Sequence, residues 1–428
     1  MKTTTRIVLA AVLLSSFVNA ADWPEFRGSN RDGIAKGKAP LTWSDSENIK
    51  WKTPIPGRGH SSPIVRGNNI YVTTGIAENV RKQKDGYNIR RYAERVTLKA
   101  ICMDLDSGAI KWQVDLFKIE KPDPIHDNNT FATPTPVVDD THLYCDFGGT
   151  IGTVCVEALT GKTVWKTKVA VDPEVGPGSS ITLHNGLLIL PRDGMDAQFI
   201  AALNKDTGKE VWRAVRPPMK GTKIDHHKAY SSPVIFEADG KTQLVLPCAQ
   251  WIASYDPMTG KEHWRASHGT GASLAGQAAV GNGMVYFSTG FMRSDLLAIR
   301  YDGTGDVTKT HYTWKSKKFA PTVASPIVIK DRLYWVSDAG VACAANALTG
   351  DLIWKKSLGG KHWPAPIVCD NRIYMTDTEG KTTVLAVGDE FKSLAVNQIS
   401  AGTSFATPAF AADSIFMRTE KALYRIAE

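Results

Sequence analysis

Apolar and polar residues alternate along this chain in short runs, and helical spacing of apolar residues is not sustained over any useful length. The alternating runs recur in a fixed order. Each ends on an acidic or amide residue, a Thr-Gly or Ser-Gly turn follows, and a tryptophan stands four residues after the glycine. The pattern occupies residues 100–112, 154–165, 201–212, 253–264 and 344–354, with a stretched copy from Ala298 to Trp314. Successive anchors Trp112, Trp165, Trp212, Trp264, Trp314 and Trp354 lie 53, 47, 52, 50 and 40 positions apart. A period of that size belongs to a repeated sheet unit. The glycine supplies the backbone angles of a tight turn, and the next strand delivers a large flat ring to a fixed place.

A second marker precedes each copy: small residues, often with proline, entering a β-branched run. It reads Ser61-Ser62-Pro63, Ala132-Thr133-Pro134, Gly178-Ser179-Ser180, Ser231-Ser232-Pro233, Gly276-Gln277-Ala278, Ala324-Ser325-Pro326, Pro364-Ala365-Pro366 and Ala406-Thr407-Pro408. Small residues suit strands crowded around an axis, and proline suits a strand's first position, where a missing N–H costs little. A middle strand such as Asn69-Ile70-Tyr71-Val72 follows each marker. The expected fold is therefore all-β: an eight-bladed β-propeller of four-stranded antiparallel blades. After the eighth marker the chain has room for only three strands. The missing outer strand, with Trp51, stands near the start, so pairing the N-terminal strand with the C-terminal blade should close the ring. Seven blades is the alternative, because the fifth and seventh copies carry degenerate tryptophan motifs.

The first 20 residues differ from the rest. Lys2 and Arg6 precede an apolar run from Ile7 to Val18, and Val18-Asn19-Ala20 offers small residues for cleavage. That run is shorter than the roughly 20 residues a spanning helix needs. The expectation is a signal peptide over 1–20 and one propeller domain over 21–428, with an extension at 21–46 and strands from about residue 47. The protein would be periplasmic or secreted, with no membrane span.

The formal charge of +8 is a mild excess on 428 residues. No basic stripe is interleaved with aromatics, and export removes the usual partner, so nucleic acid is not expected. The densest basic stretch, Arg81 to Lys84 with Arg90, Arg91 and Arg95, reads as a loop or hairpin extension. Six cysteines show no C-x-x-C spacing, so no metal site is expected. Cys145 and Cys155 flank a glycine-rich turn, and a simple hairpin would set them face to face as a candidate disulfide.

The tryptophan repeat resembles the docking motif of the PQQ-like family, which includes quinoprotein alcohol dehydrogenases and BamB-type assembly lipoproteins. The opening Trp23-Pro24-Glu25-Phe26-Arg27-Gly28, with Gly33, is similar to the start of bacterial secreted PQQ-like repeat proteins. The dehydrogenase resemblance implies pyrroloquinoline quinone (PQQ) with calcium on the axis, a disulfide between adjacent cysteines and an Asp base. The chain has no Cys-Cys dipeptide, and no cysteine before Cys102 to carry a lipid. No cofactor is therefore expected, with PQQ and calcium as the alternative. The expected function is a monomeric, non-catalytic scaffold for a protein or glycan partner at the propeller mouth or rim. A divergent PQQ-dependent alcohol or sugar dehydrogenase is the alternative.

Propeller ligands sit where inter-blade loops and inner turns meet, so the ligand-face candidates come from those segments: Arg58, His60, His126, Asp127, Arg192, Asp193, His227, Trp251, Arg293 and Trp363. Charged and aromatic groups of this kind suit a polar or anionic ligand. A hydrolase or lyase would need His126, Asp193 or His227 within reach of a common point.

Overall fold

A strand with one apolar side must bury that side against a neighbour, and this chain does so repeatedly. The computed structural model describes residues 22–219, 224–269, 271–291, 294–400 and 402–428. Within them the structure is strand and turn, apart from a 3₁₀ turn at Ile224–His227. The expected all-β class holds. The leader at 1–20 lies outside the described residues.

Among the described residues, eight sheets contain a four-stranded antiparallel run. The first unit is Ile64–Arg66, Asn69–Glu78, Arg95–Asp104 and Ile110–Glu120. Six more repeat that order through residues 137–167, 182–215, 234–267, 279–316, 327–357 and 367–398. The eighth takes Ala409–Ala411, Ser414–Arg418 and Ala422–Ile426 from the C-terminus, and Ile49–Pro54 pairs antiparallel with its last strand. Buried apolar residues gather between consecutive units, as with Leu98 and Leu143 between the first and second. Another such cluster joins Tyr374, Phe416 and Val72 from the seventh, eighth and first units.

The repeat motif has a physical explanation at each position. Asp104, Asn204, Asp256 and Asn346 accept hydrogen bonds from N–H groups two and three residues further on, which caps the turn. A β-bulge follows the residue that pairs with each tryptophan, for example between Cys155 and Val156 opposite Trp165. The indole then crosses to the next unit. Trp51 donates to the Leu105 carbonyl, Trp112 to Ala158, Trp165 to Lys205, Trp212 to Pro257, Trp314 to Ala347 and Trp354 to Gly388, at 2.9–3.2 Å. The turn glycine must be bare for this. A Cβ on Gly208 (φ +68) would meet the Trp165 ring at 2.6 Å. Trp264 corrects the expected pattern: its indole donates to Gln243 within its own sheet. The stretched fifth copy explains why, since Gly305–Asp306 pairs in parallel with Trp264 and Arg265.

The small residues of the second marker do more than save space. Thr135 accepts from the Ser62 amide, Ser180 from Thr135, Ser232 from Ser180, Ser325 from Gln277 and Thr407 from Ala365, at 2.9–3.0 Å. Side-chain hydroxyls thus satisfy backbone N–H groups of the preceding unit, which would otherwise be buried unpaired.

The N-terminal extension ties several units together. Trp23 exchanges backbone hydrogen bonds with Val65, and the Pro24 carbonyl accepts from Val138. Glu25 and Arg31 pair with each other and both reach Thr182. Arg27 donates to the Pro326 carbonyl. Ile34–Ala35 pairs in parallel with Val368 and Cys369, and the Lys38 amide reaches Asp413. Strand structure therefore begins before residue 47.

The Cys145–Cys155 expectation is corrected. Tyr144 pairs with Cys155 and Cys145 with Val154, a register one residue away from opposition. A one-residue offset sends the two thiols to opposite faces of the sheet. Among the described residues all six cysteines are buried and free.

Candidate functional site

Three rings from the loops between units share one sequence offset. His60, Trp363 and Phe405 each stand three residues before a marker proline, Pro63, Pro366 and Pro408. In space they form a chain of contacts. The His60 and Phe405 centroids lie 4.6 Å apart at 27°, and Phe405 and Trp363 lie 5.3 Å apart at 56°. Phe291, from the turn after Met284–Ser288, meets Trp363 edge-on at 6.5 Å. The Lys361 ammonium sits 3.7 Å from the Trp363 ring centroid, and the indole N–H donates to Asp338 at 3.0 Å. Loops of the first, fifth, seventh and eighth units thus deliver one aromatic arc. Phe405, Phe291 and Lys361 were not among the sequence candidates. The offset shared with His60 would have singled out Phe405.

A small extra sheet is made of Arg81–Asp85, Asn88–Tyr92 and Ile125–His126, so the basic stretch is a hairpin as expected. Arg90 bonds Glu174 at 3.0 Å, and Lys228 pairs with the same carboxylate. Burial, reinforced by Arg90, pulls the Lys228 pKa down to about 8. Burial also lowers the His126 pKa; Asp127 opposes this, while Arg90, Lys361 and Lys228 add to it.

His60 is held neutral. Burial, then Arg58, Arg418 and Arg91, pull its pKa from 6.5 to about 3. Unfolding lets the imidazole take up a proton below about pH 6.5, so the unfolded state binds more protons there. The stability His60 contributes is complete above that pH and is lost as pH falls toward its folded value. His268, lowered to about 4 chiefly by burial, acts in the same sense. Melting temperature should therefore drop as pH is lowered from about 7 to about 4. The drop should be shallower in His60→Phe, which calorimetry across that range would show.

The other candidates separate into distinct environments. Arg58 bridges to Glu420 of the eighth unit at 2.7 Å. His126 and Asp127 are no acid–base pair: His126 Nδ1 accepts from the Asn128 amide, and Asp127 pairs with Lys82 and Arg91. Arg192 and Asp193 are turned into the interior. Arg192 forms a buried ion pair with Asp146 at 2.7 Å, and Asp193 pairs with buried Arg216 while accepting from the Ala249 amide. Trp251 is half-buried beneath Arg265. His227 ends the turn at Ile224–His227. Arg293 lies outside the described residues. Among those described, no three His, Cys, Asp or Glu side chains come together as a metal would require.

Similarity to known proteins agrees with this architecture. Tetrathionate hydrolase of Acidithiobacillus ferrooxidans is 23% identical over 382 residues, spanning 81% of this chain and 69% of that protein. Two solved structures share the fold. BamB from Moraxella catarrhalis superposes with a TM-score of 0.54 at 15% identity, covering 83% of this chain and 98% of its own. Quinohemoprotein alcohol dehydrogenase from Comamonas testosteroni superposes with 0.64 at 9% identity, covering 95% and 80%. No helix among the described residues is long and apolar enough to cross a membrane. A family model described as outer membrane protein assembly factor BamB matches residues 98–245, 196–308 and 248–422. The chain belongs to that family of PQQ-like β-propellers.

Proposed function

We propose that this protein is an exported, monomeric scaffold, a closed eight-bladed propeller that holds a protein or glycan partner at the axial mouth. Closure is supported by the pairing of Ile49–Pro54 with Ala422–Ile426 and by contact between the innermost strands Ile64–Arg66 and Ala409–Ala411. The observation that carries the binding reading is the arc His60–Phe405–Trp363–Phe291, with Lys361 on its surface. Aromatic faces beside cations suit recognition rather than bond-breaking. The thiols offer no nucleophile, because burial pushes Cys102, Cys155, Cys343 and Cys369 up to about 12. PQQ fits this mouth poorly. A flat tricarboxylate needs an open ring face, whereas Lys361 lies over Trp363, and Asp338 is engaged by Trp363 and Thr322.

Co-sedimentation with isolated outer membranes and murein tests the reading. The chain should pellet with one of these fractions, and a Trp363→Ala/Phe405→Ala variant that melts normally should lose roughly tenfold in affinity, or about 1.4 kcal/mol. Dye-linked turnover after incubation with PQQ and calcium would replace the scaffold with a dehydrogenase. A second reading, hydrolysis of a sulfur oxyanion, is favoured by the likeness to tetrathionate hydrolase and by the cations around the mouth. Thiosulfate release from tetrathionate would establish it.

A further inference from the structure

Beside the aromatic arc, between the extra hairpin and the first unit, lies a cavity of about 210 Å³. Ile76, Val80, Ala93 and Phe131 make its walls apolar, and the cations on its lining are Arg58 and Arg91. A dry apolar cavity of about 150 Å³ accepts a benzene ring, so this one has room for a ring and a short linker.

The charge around it is unbalanced. Arg58 shares Glu420, while Arg91 and Lys82 share Asp127. Arg418 stands close by, fully buried, with Nη1 on Ser61 and Nε without a partner. Among the described residues no carboxylate lies within ion-pairing distance of it, so these four cations share two carboxylates. His60 Nε2 is also buried without a partner in the midst of these arginines. Buried polar groups left unpaired in this way are costly unless something else satisfies them.

We propose that this cavity binds a small amphiphilic monocarboxylate, with its apolar group against Ile76, Val80 and Phe131 and its carboxylate at Arg58 and Arg91. The assignment goes beyond the mouth-binding reading and stands on the cavity's own lining, which is separate from the aromatic arc. A guanidinium fork is the side chain best matched to a carboxylate, and an apolar enclosure strengthens each charge-assisted hydrogen bond. The two guanidiniums already hold acids with partly exposed side chains, which leaves room for a third carboxylate to share them.

Calorimetric titration of the full chain with 3-phenylpropionate tests the assignment, with 3-phenylpropanamide and acetate as controls. The acid should bind with unit stoichiometry, and each control at least tenfold more weakly. Ala93→Phe, which fills the cavity and leaves the Arg91–Asp127 pair in place, should abolish binding, and Arg91→Met should weaken it at least tenfold. Thermal melts confirm that both variants fold. No binding of the acid, equal binding of acid and amide, or binding indifferent to Ala93→Phe would each overturn the assignment. If the acid fails while Trp363-dependent sedimentation persists, only the cavity proposal falls. If the acid binds and sedimentation fails, the partner reading falls instead.

Discussion

Asp146→Ala should destabilise the protein by about 3–5 kcal/mol, because it strands the Arg192 guanidinium in the interior. The side chains of Arg192 and Asp146 are only 3% and 1% exposed. Arg192 places two nitrogens on the carboxylate at 2.7 and 3.1 Å and its Nε on the Val169 carbonyl. Asp146 also takes the Thr153 hydroxyl at 2.6 Å and the Gly148 amide at 3.3 Å. Removing the carboxylate leaves a buried cation without its counter-ion and takes the acceptor from the Thr153 hydroxyl and the Gly148 amide. Replacing both ionic partners with apolar residues, as in Asp146→Leu/Arg192→Met, should recover most of the loss, since a buried pair is held against a large desolvation cost. Urea unfolding followed by tryptophan fluorescence gives both values. A loss below about 1 kcal/mol in Asp146→Ala would show that water reaches the pair, and would return Arg192 to the ligand-facing candidates.

Trp264→Ala should cost a similar amount, about 3–5 kcal/mol, and more than the same change at Trp165. Trp264 is 0% exposed and buried among Val245, Val285 and Ile299, whereas Trp165 is half-buried at the edge of its unit. Both lose one indole hydrogen bond, a contribution of about 1 kcal/mol each. The difference therefore reports ring burial alone. Thermal melts of the two variants side by side would show it. Equal losses would mean that docking onto the next unit, rather than enclosure, sets the value of the ring.

Much of the fold was legible because its signals are local. The Asx-capped turn, the glycine under the indole and the tryptophan four residues later all fall within one hairpin. A single strand period and one turn type decide them. The hydroxyl markers were legible as small residues. Their hydrogen bonds to the preceding unit were not, since each joins residues separated by a whole repeat. Trp264 shows the limit of reading by motif: its own copy is regular, and the irregular copy that follows, with Gly305–Asp306, redirects its indole.

The candidate site was legible only in part. His60 and Trp363 were named from sequence and do meet one surface through Phe405. Arg192 and Asp193 looked equally suited, yet both turn inward onto Asp146 and Arg216. Nothing within a turn tells whether its arginine faces the axis or the neighbouring unit.

By itself the sequence determined the repeat unit, its number of strands and its turn chemistry, because each depends on residues close together along the chain; the outer strand near the N-terminus was legible by count, since the last unit was one strand short. The tertiary structure decided which side chains from different units meet. It set the arc of four rings, the inward ion pairs, the anchoring of Trp23 to Lys38 across several units, and the separation of Cys145 from Cys155. The reason is geometric: a register shift of one residue exchanges the faces of a strand, and only the packing of whole sheets selects the register.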